Sequence, residues 1–455
     1  MHLTKIICLP DLYHVFNWEG MFLYRQNCLS NVATNKGVVM KKFSAAGLGI
    51  IAAMILWIFP TKDANAVAAW ARKYNADCTM CHTMYPRLNP TGQKFRRLGY
   101  KMPEEFDAKE TQLAPEEMAK FSNYMSARTR PRFLVTKQHG TPANFSFQLE
   151  DVTLFYTGPV TRNVGFFSEL AFEPADEKGF VEVGQLNLNF GKSDGFFFLR
   201  TGLMHQFAKV GYGGLDRQIT LSFPSLMQNK INGFAFRQDG LGIESGYSNG
   251  NLTALVQFTN GLNATNHSIT DNTDLNKHKD VGILLEYLIP DHDASVSALY
   301  VYGREPTPQN NAGALVAGAR DVKYNRLGFF ADYTFDKIRL KPLFGFAYGI
   351  DNEFVSGIGS ATATLVRGTT NRSWSTFLEL DEEIVNNLYA VARIEMIHPT
   401  QNSTGSAATK RTYNGTGALV WGFQKWLRTT LEYRATDNAA QEIANSVTGE
   451  LQLVF

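Results

Sequence analysis

From about residue 127 to the C-terminus, hydrophobic and polar positions alternate with a period of two, the pattern of strands with one apolar face. Leu327, Phe329, Ala331, Tyr333 and Phe335 share one face, and Leu186, Leu188 and Phe190 alternate with Gln185, Asn187 and Asn189. The same alternation runs through Val281, Ile283, Leu285 and Tyr287, and through Phe344, Phe346 and Tyr348. Near the end, Leu427, Leu431 and Tyr433 stand against Arg428, Glu432 and Arg434. Such polar residues on the second face predict a wet interior.

The connections between these strands alternate in length. Short turns are predicted near 158–163, 192–195, 247–251, 289–293, 335–337, 382–387 and 424–426. Longer polar loops are predicted near 137–144, 174–178, 205–232, 260–278, 303–320, 350–371, 398–410 and 436–445, with an extra strand fragment at 218–223. Seven turns interleaved with eight loops require about sixteen strands with both ends on the short-turn side. The prediction is therefore an all-β protein, an outer-membrane antiparallel β-barrel over 126–455. The closing stretch from Val447 to Phe455 alternates and ends on an aromatic, as the last strand of such barrels does. A soluble sandwich would also alternate, but it does not account for two classes of loop or for 33 Phe and 18 Tyr.

The first 126 residues follow other rules. The long apolar run at 43–60 is preceded by Met40-Lys41-Lys42 and followed by Ala64-Asn65-Ala66, which predicts a secretory signal peptide over 40–66. Residues 1–39 precede a complete signal and are read as an upstream segment that is not translated. Removing residues 1–66 takes away six of the 44 basic and three of the 42 acidic residues, leaving a net charge of −1. That balance gives no support to nucleic-acid binding.

Cys8 and Cys28 fall in the removed part, so the mature chain keeps Cys78 and Cys81, and a disulfide framework is excluded. The pair stands in Cys78-Thr79-Met80-Cys81-His82. In this pattern two thiols add across the vinyl groups of a porphyrin, and the adjacent imidazole becomes the proximal iron ligand. With no second cysteine pair to complete a zinc site, the motif predicts one covalent haem c on a small α-helical segment over 67–125. Met102, in Tyr100-Lys101-Met102-Pro103, is the first candidate for the distal ligand, with Met118, Met125 and His139 as alternatives. A basic run (Arg72, Lys73, Arg87, Lys94, Arg96, Arg97, Lys101) precedes an acidic one (Glu104, Glu105, Asp107, Glu110, Glu116, Glu117). Both are read as solvated faces, the sharper alternative being arginines that pair with haem propionates. Pro115-Glu116-Glu117 opens a predicted helix to about Tyr124.

The stretch Ala69-Trp70-Ala71-Arg72-Lys73-Tyr74, the haem motif, Pro86-Arg87-Leu88-Asn89, Gly92-Gln93-Lys94-Phe95 and Gly99-Tyr100 resemble the monohaem cytochrome–porin fusions of outer membranes, whose best-known members oxidise extracellular ferrous iron. The resemblance implies haem binding by Cys78, Cys81 and His82 in or at the mouth of a barrel set in outer-membrane lipid. It also implies an extracellular reductant such as Fe(II) and a periplasmic c-type cytochrome or similar carrier as partners. The alternative is a solute-conducting porin whose haem-containing plug senses or gates. An open iron site would make the chain a haem enzyme instead. His205 and His398 are read as strand-end surface residues, Gly211-x-Gly213-Gly214 as a loop, and Asp381, Glu382 and Glu383 as a turn.

Overall fold

The computed structural model describes residues 69–108, 123–138, 140–173, 178–205, 219–224, 230–231, 234–235, 239–260, 278–305, 322–356, 364–401, 411–424, 426–438 and 441–455. The predicted signal peptide and upstream segment, Met118, His139, nearly all of the 115–124 helix and the 211–214 glycines lie outside the described residues.

The N-terminal part comprises helix α1 (Ala69–Tyr74), a 3-10 turn at Cys78–Met80, hairpin strands β1 (His82–Met84) and β2 (Arg87–Leu88), and helices α2 (Pro90–Arg97) and α3 (Pro103–Asp107). Then come β3 (Met125–Gln138), β4 (Asn144–Pro159), β5 (Val164–Glu173), β6 (Lys178–Lys192) and β7 (Gly195–His205). A small pair, β8 (Lys230–Ile231) and β9 (Phe234–Ala235), is followed by β10 (Asp239–Ser248), β11 (Leu252–Thr259), β12 (Asp280–Ile289), β13 (Ala294–Glu305) and β14 (Val322–Asp332). The chain finishes with β15 (Leu340–Ser356), β16 (Thr364–Val385), β17 (Leu388–Gln401), β18 (Thr412–Gln424), β19 (Leu427–Asn438) and β20 (Gln441–Val454).

Sixteen of these strands, β3 to β7 and β10 to β20, form one closed antiparallel barrel. Each pairs with its neighbours in sequence, β7 pairs with β10 across the β8–β9 insertion, and β20 closes on β3. At the seam, the Ala127 N–H donates to the Phe455 carbonyl at 2.6 Å and the Phe455 N–H to the Ala127 carbonyl at 2.9 Å. All seven predicted turns fall between consecutive strands, and the 382–387 turn narrows to Asn386-Asn387 because β16 runs on to Val385. Asp381, Glu382 and Glu383, read as a turn, are consequently strand residues.

The two faces separate as the periodicity requires. Outward positions carry exposed Phe147, Leu285, Phe329, Phe344, Ile394 and Leu431, while Asn187, Asn189, Glu286, Glu379, Asp381, Arg393, Glu395 and Glu432 are buried inside. A closed barrel with an apolar outside satisfies every ladder hydrogen bond internally, which is the condition for β-structure to span lipid. Among the described residues no helix is long and apolar enough to cross a membrane. Leu427 departs from the pattern. It is 2 % exposed, beside the irregular pairing of Trp421 and Gln424.

The interior is not uniformly wet. Phe196, Phe198, Leu255, Leu284, Leu299, Phe330, Leu343, Ala347 and Phe377, from β7 to β16, form one buried cluster with Leu98 and Phe106 of the N-terminal segment. On that side of the lumen the segment packs against apolar side chains, so the predicted wet interior is dry there.

Lipid-facing placement predicts that Leu285→Arg, at the middle of β12 on the outer face, destabilises the barrel by about 2–4 kcal/mol in denaturant unfolding from bilayer vesicles. A change close to zero would place that face away from the hydrocarbon.

Candidate functional site

Residues 69–107 lie inside the barrel at its short-turn end, held by contacts with the wall. The Arg87 guanidinium is fully buried, forms a short ion pair with Asp381 and lies 3.9 Å from Glu379. Arg97 pairs with Glu286, and its carbonyl accepts from Asn189 Nδ2 at 2.8 Å. Arg162, in the β4–β5 turn, donates from Nε to the Phe106 carbonyl at 2.7 Å, and Asp107 accepts the Ser193 N–H at 2.8 Å. Thr83 Oγ1 donates to Asp293, in the β12–β13 turn, at 3.1 Å.

The basic run is thus not a solvated face: Arg87, Arg97 and Lys101 are 0 %, 4 % and 1 % exposed. Lys73 pairs within the segment with Glu105 at 2.8 Å. Burial lowers the Lys101 ammonium to a pKa of about 8. Neither do Arg87 and Arg97 point to an anionic ligand, since wall carboxylates already take their charge.

The residues around the cysteines form a compact unit. The Asp77 side chain accepts from the Thr79 N–H at 3.1 Å and caps the 3-10 turn that carries Cys78. Asn89 does three things: its Oδ1 accepts the Gly92 N–H and caps α2, its Nδ2 donates to the Thr79 and Met80 carbonyls, and its N–H donates to the Cys81 carbonyl. Pro90 supplies the favoured first helical residue. Gly92 lies so close to the Cys81 carbonyl that any Cβ would clash, so the helix rests directly on the motif's backbone. Trp70 stacks on Tyr100 with ring centroids 5.1 Å apart, Tyr100 stacks on Phe167 of β5 at the same distance, and Phe95 meets Trp70 edge-on. Gly99, at φ +71°, makes the turn, and Gly165 of the wall lets its carbonyl approach.

Cys78 and Cys81 are partly accessible thiols. Burial, and then the neighbouring Cys78, raise the Cys81 pKa. His82 Nδ1–H donates to the Pro86 carbonyl at 3.3 Å, which leaves Nε2 with its lone pair. Burial lowers the imidazole pKa to about 4, so the ring is neutral. A neutral imidazole oriented through Nδ1 by a backbone carbonyl is the form in which histidine binds a metal through Nε2.

These three residues border a cavity of about 760 Å³ inside the barrel, also lined by Trp70, Tyr85, Leu88, Arg96, Tyr100 and Met102. The barrel wall contributes Arg128, Arg130, Arg132, Arg428, Glu450 and Gln452, and Thr220, Leu221 and Phe223 of the loop after β7 border it too. Its volume is in the range of sites that enclose a cofactor-sized ligand.

The 219–223 stretch forms no strand. It turns into the lumen, where Glu432 accepts the Leu221 and Ser222 N–H groups and Arg393 donates to Thr220 Oγ1 and the Ser222 carbonyl. Ile219 packs with Met84 of the N-terminal segment, Tyr389 and Val391. The cavity therefore lies between the segment and this loop.

Met102 lines the cavity as the residue before α3; Met125 begins β3 and does not. Met84 and Met204 also line it and are absent from the sequence-based candidates. His398 stacks on Trp374 at 5.4 Å, within β17 rather than at its end. The wall arginines were missed as well. Their signal is the period-two basic triplet Arg128-x-Arg130-x-Arg132, which places three guanidiniums on one face of β3. Among the described residues, no cluster of three or more His, Cys, Asp or Glu side chains forms a metal site.

No protein-family model matches the chain, and no curated protein matches it. Solved structures match in fold. An anion-selective porin from Comamonas acidovorans aligns with TM-score 0.52 and 12 % identity over 73 % of this chain and 98 % of that one. A loop L8 deletion mutant of OmpT, an outer membrane protein of Vibrio cholerae, aligns with TM-score 0.50 and 13 % identity over 73 % and 99 %. The outer membrane channel DcaP of Acinetobacter baumannii aligns with TM-score 0.50 and 11 % identity over 73 % and 96 %. The chain thus has the sixteen-strand fold of outer-membrane porins. These likenesses are of fold, and the neighbours are porins and channels rather than cytochrome–porin fusions.

Arg87→Met leaves Asp381 without its cation, which is expected to cost about 3–5 kcal/mol and to release the segment, read as new trypsin cleavage at Lys94 or Arg96. Arg87→Met combined with Asp381→Leu should recover much of the loss, and equal exposure in the double variant would sink the assignment.

The depressed His82 pKa sets a second expectation. The unfolded ring takes up protons below its ordinary value of 6.5 while the buried ring does so only near 4. Docking is therefore fully stable above about pH 6.5 and weakens as pH falls from there towards 4. A Cys78→Ser/Cys81→Ser protein should show this in tryptophan fluorescence, and His82→Asn should abolish the dependence.

Proposed function

We propose that this chain is an outer-membrane electron conduit, a porin-type barrel whose lumen is plugged at the periplasmic end by a c-type haem segment. The observation that carries the reading is the position of Cys78, Cys81 and the neutral, carbonyl-oriented His82 on one lumen cavity of cofactor size. The chain's residues fit the group: both thiols border the cavity where thioether bonds would form, His82 Nε2 is available to the iron, and Met102 borders the same space. A haem bound here would supply a one-electron ferric/ferrous couple.

The protein's part in this reading is to hold, insulate and position. Cys78 and Cys81 tether the ring, His82 presents Nε2, and the Pro86 carbonyl keeps the imidazole in that tautomer. Trp70, Phe95 and Tyr100 exclude water from one side of the plug. Arg87 and Arg97 fasten the plug to the wall, so that an electron, and no solute, crosses at this level. The donor is an extracellular reductant, with Fe(II) the leading candidate, and the acceptor a periplasmic c-type cytochrome or similar carrier.

A second reading is a solute-conducting porin whose N-terminal segment senses or gates. The fold comparisons by themselves favour it, since the similar structures are porins and channels.

The two readings separate in one preparation. Purified, detergent-solubilised protein should carry covalent haem, absent in Cys78→Ala/Cys81→Ala, and anaerobic Fe(II) at fixed pH should convert its absorption bands to the reduced form. His82→Ala should lose that reduction while the barrel remains folded. Reduction by a mild chemical reductant but not by iron keeps the conduit and changes its donor. A haem-free wild type that conducts ions in planar bilayers would replace the conduit with the porin.

A further inference from the structure

The cavity wall carries a charge that no group among the described residues neutralises at contact. Arg428 of β19 is 8 % exposed and faces the cavity. Its Nη1 donates to Gln452 Oε1 at 3.4 Å and its Nη2 to the Ile219 carbonyl, while Nε is buried with no acceptor. Glu450 acts on it only from beyond ion-pair distance, because Arg132 Nε holds Glu450 at 2.5 Å, and Arg130 and Arg132 add repulsion.

Its neighbours are committed elsewhere. Arg128 pairs with Asp151 at 2.7 Å and with Glu169 at 3.3 Å, and Arg130 pairs with the same Asp151 at 2.5 Å. Arg132 holds Glu450 and the more exposed Glu150. Four guanidiniums thus share three buried carboxylates, Asp151, Glu169 and Glu450, and the surplus rests on Arg428. A buried cation without a counter-charge is strongly unfavourable, so this position suits an anion that the described residues do not supply.

The geometry also says where that anion comes from. The Tyr85 ring lies 5.2 Å from the His82 ring, centroid to centroid, and its hydroxyl is within electrostatic reach of Arg128 and Arg428. All of them border the cavity that holds the two thiols. A macrocycle tethered at Cys78 and Cys81 and bound through His82 would share this cavity with Arg428. The planar fork of a guanidinium matches a carboxylate in two parallel hydrogen bonds.

We propose that Arg428 anchors a carboxylate in the lumen cavity, and that this carboxylate is a propionate of the haem; the proposal rests on the haem reading above. Arg428 is a positioning residue: it fixes the ring against β19 and places a positive charge beside it. Positive charge favours the ferrous over the ferric state.

The test uses full-length protein in detergent as wild type, Arg428→Gln, Arg428→Met and Arg428→Lys. Covalent haem is measured by mass and barrel folding by circular dichroism. In a fixed redox buffer the ferric-to-ferrous ratio is expected to rise about tenfold in both neutral variants and to stay within about twofold in the lysine variant. Resonance Raman of the wild type should show a hydrogen-bonded propionate bending mode, a readout that needs no variant to fold. Haem attached in every variant with an unchanged ratio and a free propionate mode would overturn the proposal and leave the haem reading standing. An unchanged ratio together with lost anion selectivity in planar bilayers would assign Arg428 to soluble carboxylates instead. Wild type without haem would overturn both.

Discussion

A strand edge left open in hydrocarbon exposes peptide groups that no solvent there can satisfy, and the rest of this architecture follows from that constraint. It forces β20 onto β3 and β7 onto β10 across a 33-residue connection at 206–238, so the sheet has no edge. Closure at sixteen strands produces a lumen too wide for the inward side chains to fill. The remaining space must hold water or more chain. Here it holds both the N-terminal segment from the short-turn end and the 219–223 loop.

Filling a polar lumen with chain creates a problem of charge. Every basic residue carried inward leaves water and must meet a carboxylate or remain uncompensated. Arg87 and Arg97 meet Asp381, Glu379 and Glu286, and the loop's free N–H groups meet Glu432. Glu379 lies at the centre of this arrangement, 3.9 Å from Arg87 of the segment and 2.7 Å from Arg393, which in turn holds the loop. Plug and loop are therefore bound into one network through a single wall carboxylate. Among the described residues, Lys101 of the segment and Arg428 of the wall are places where that matching stops.

Much of the barrel was legible in the sequence because alternation reports which residues share a face, and closure turns a count of turns into a count of strands. Leu186 and Phe190 against Asn187 and Asn189 divided as the periodicity requires. What alternation cannot report is the material that lies against a face. Phe198, Leu255 and Leu284 read as inner-face residues facing water until Leu98 and Phe106 are seen packed on them. Arg87 and Arg97 read as solvated because their carboxylate partners are some 190 to 290 residues away. The cysteine–histidine motif was visible because its chemistry is local. The wall arginines that share its cavity come from strands at opposite ends of the chain, and only the closure of β20 on β3 brings Arg128 beside Arg428.

The lumen's cross-section is also where the two functional readings compete. Solute flux needs a continuous open path, and here the segment and the 219–223 loop both pack on the inner wall, the segment against the apolar cluster from β7 to β16. Electron transfer needs no open path, only a redox centre held within a short distance of each face and kept from water. A plug fixed by buried ion pairs serves the second requirement and works against the first, since an element that must swing aside to admit solute would have to separate Arg87 from Asp381 and Arg97 from Glu286 in a buried setting each time. That asymmetry in free energy, more than the likeness of the barrel to conducting porins, is the physical reason to assign the segment a static role.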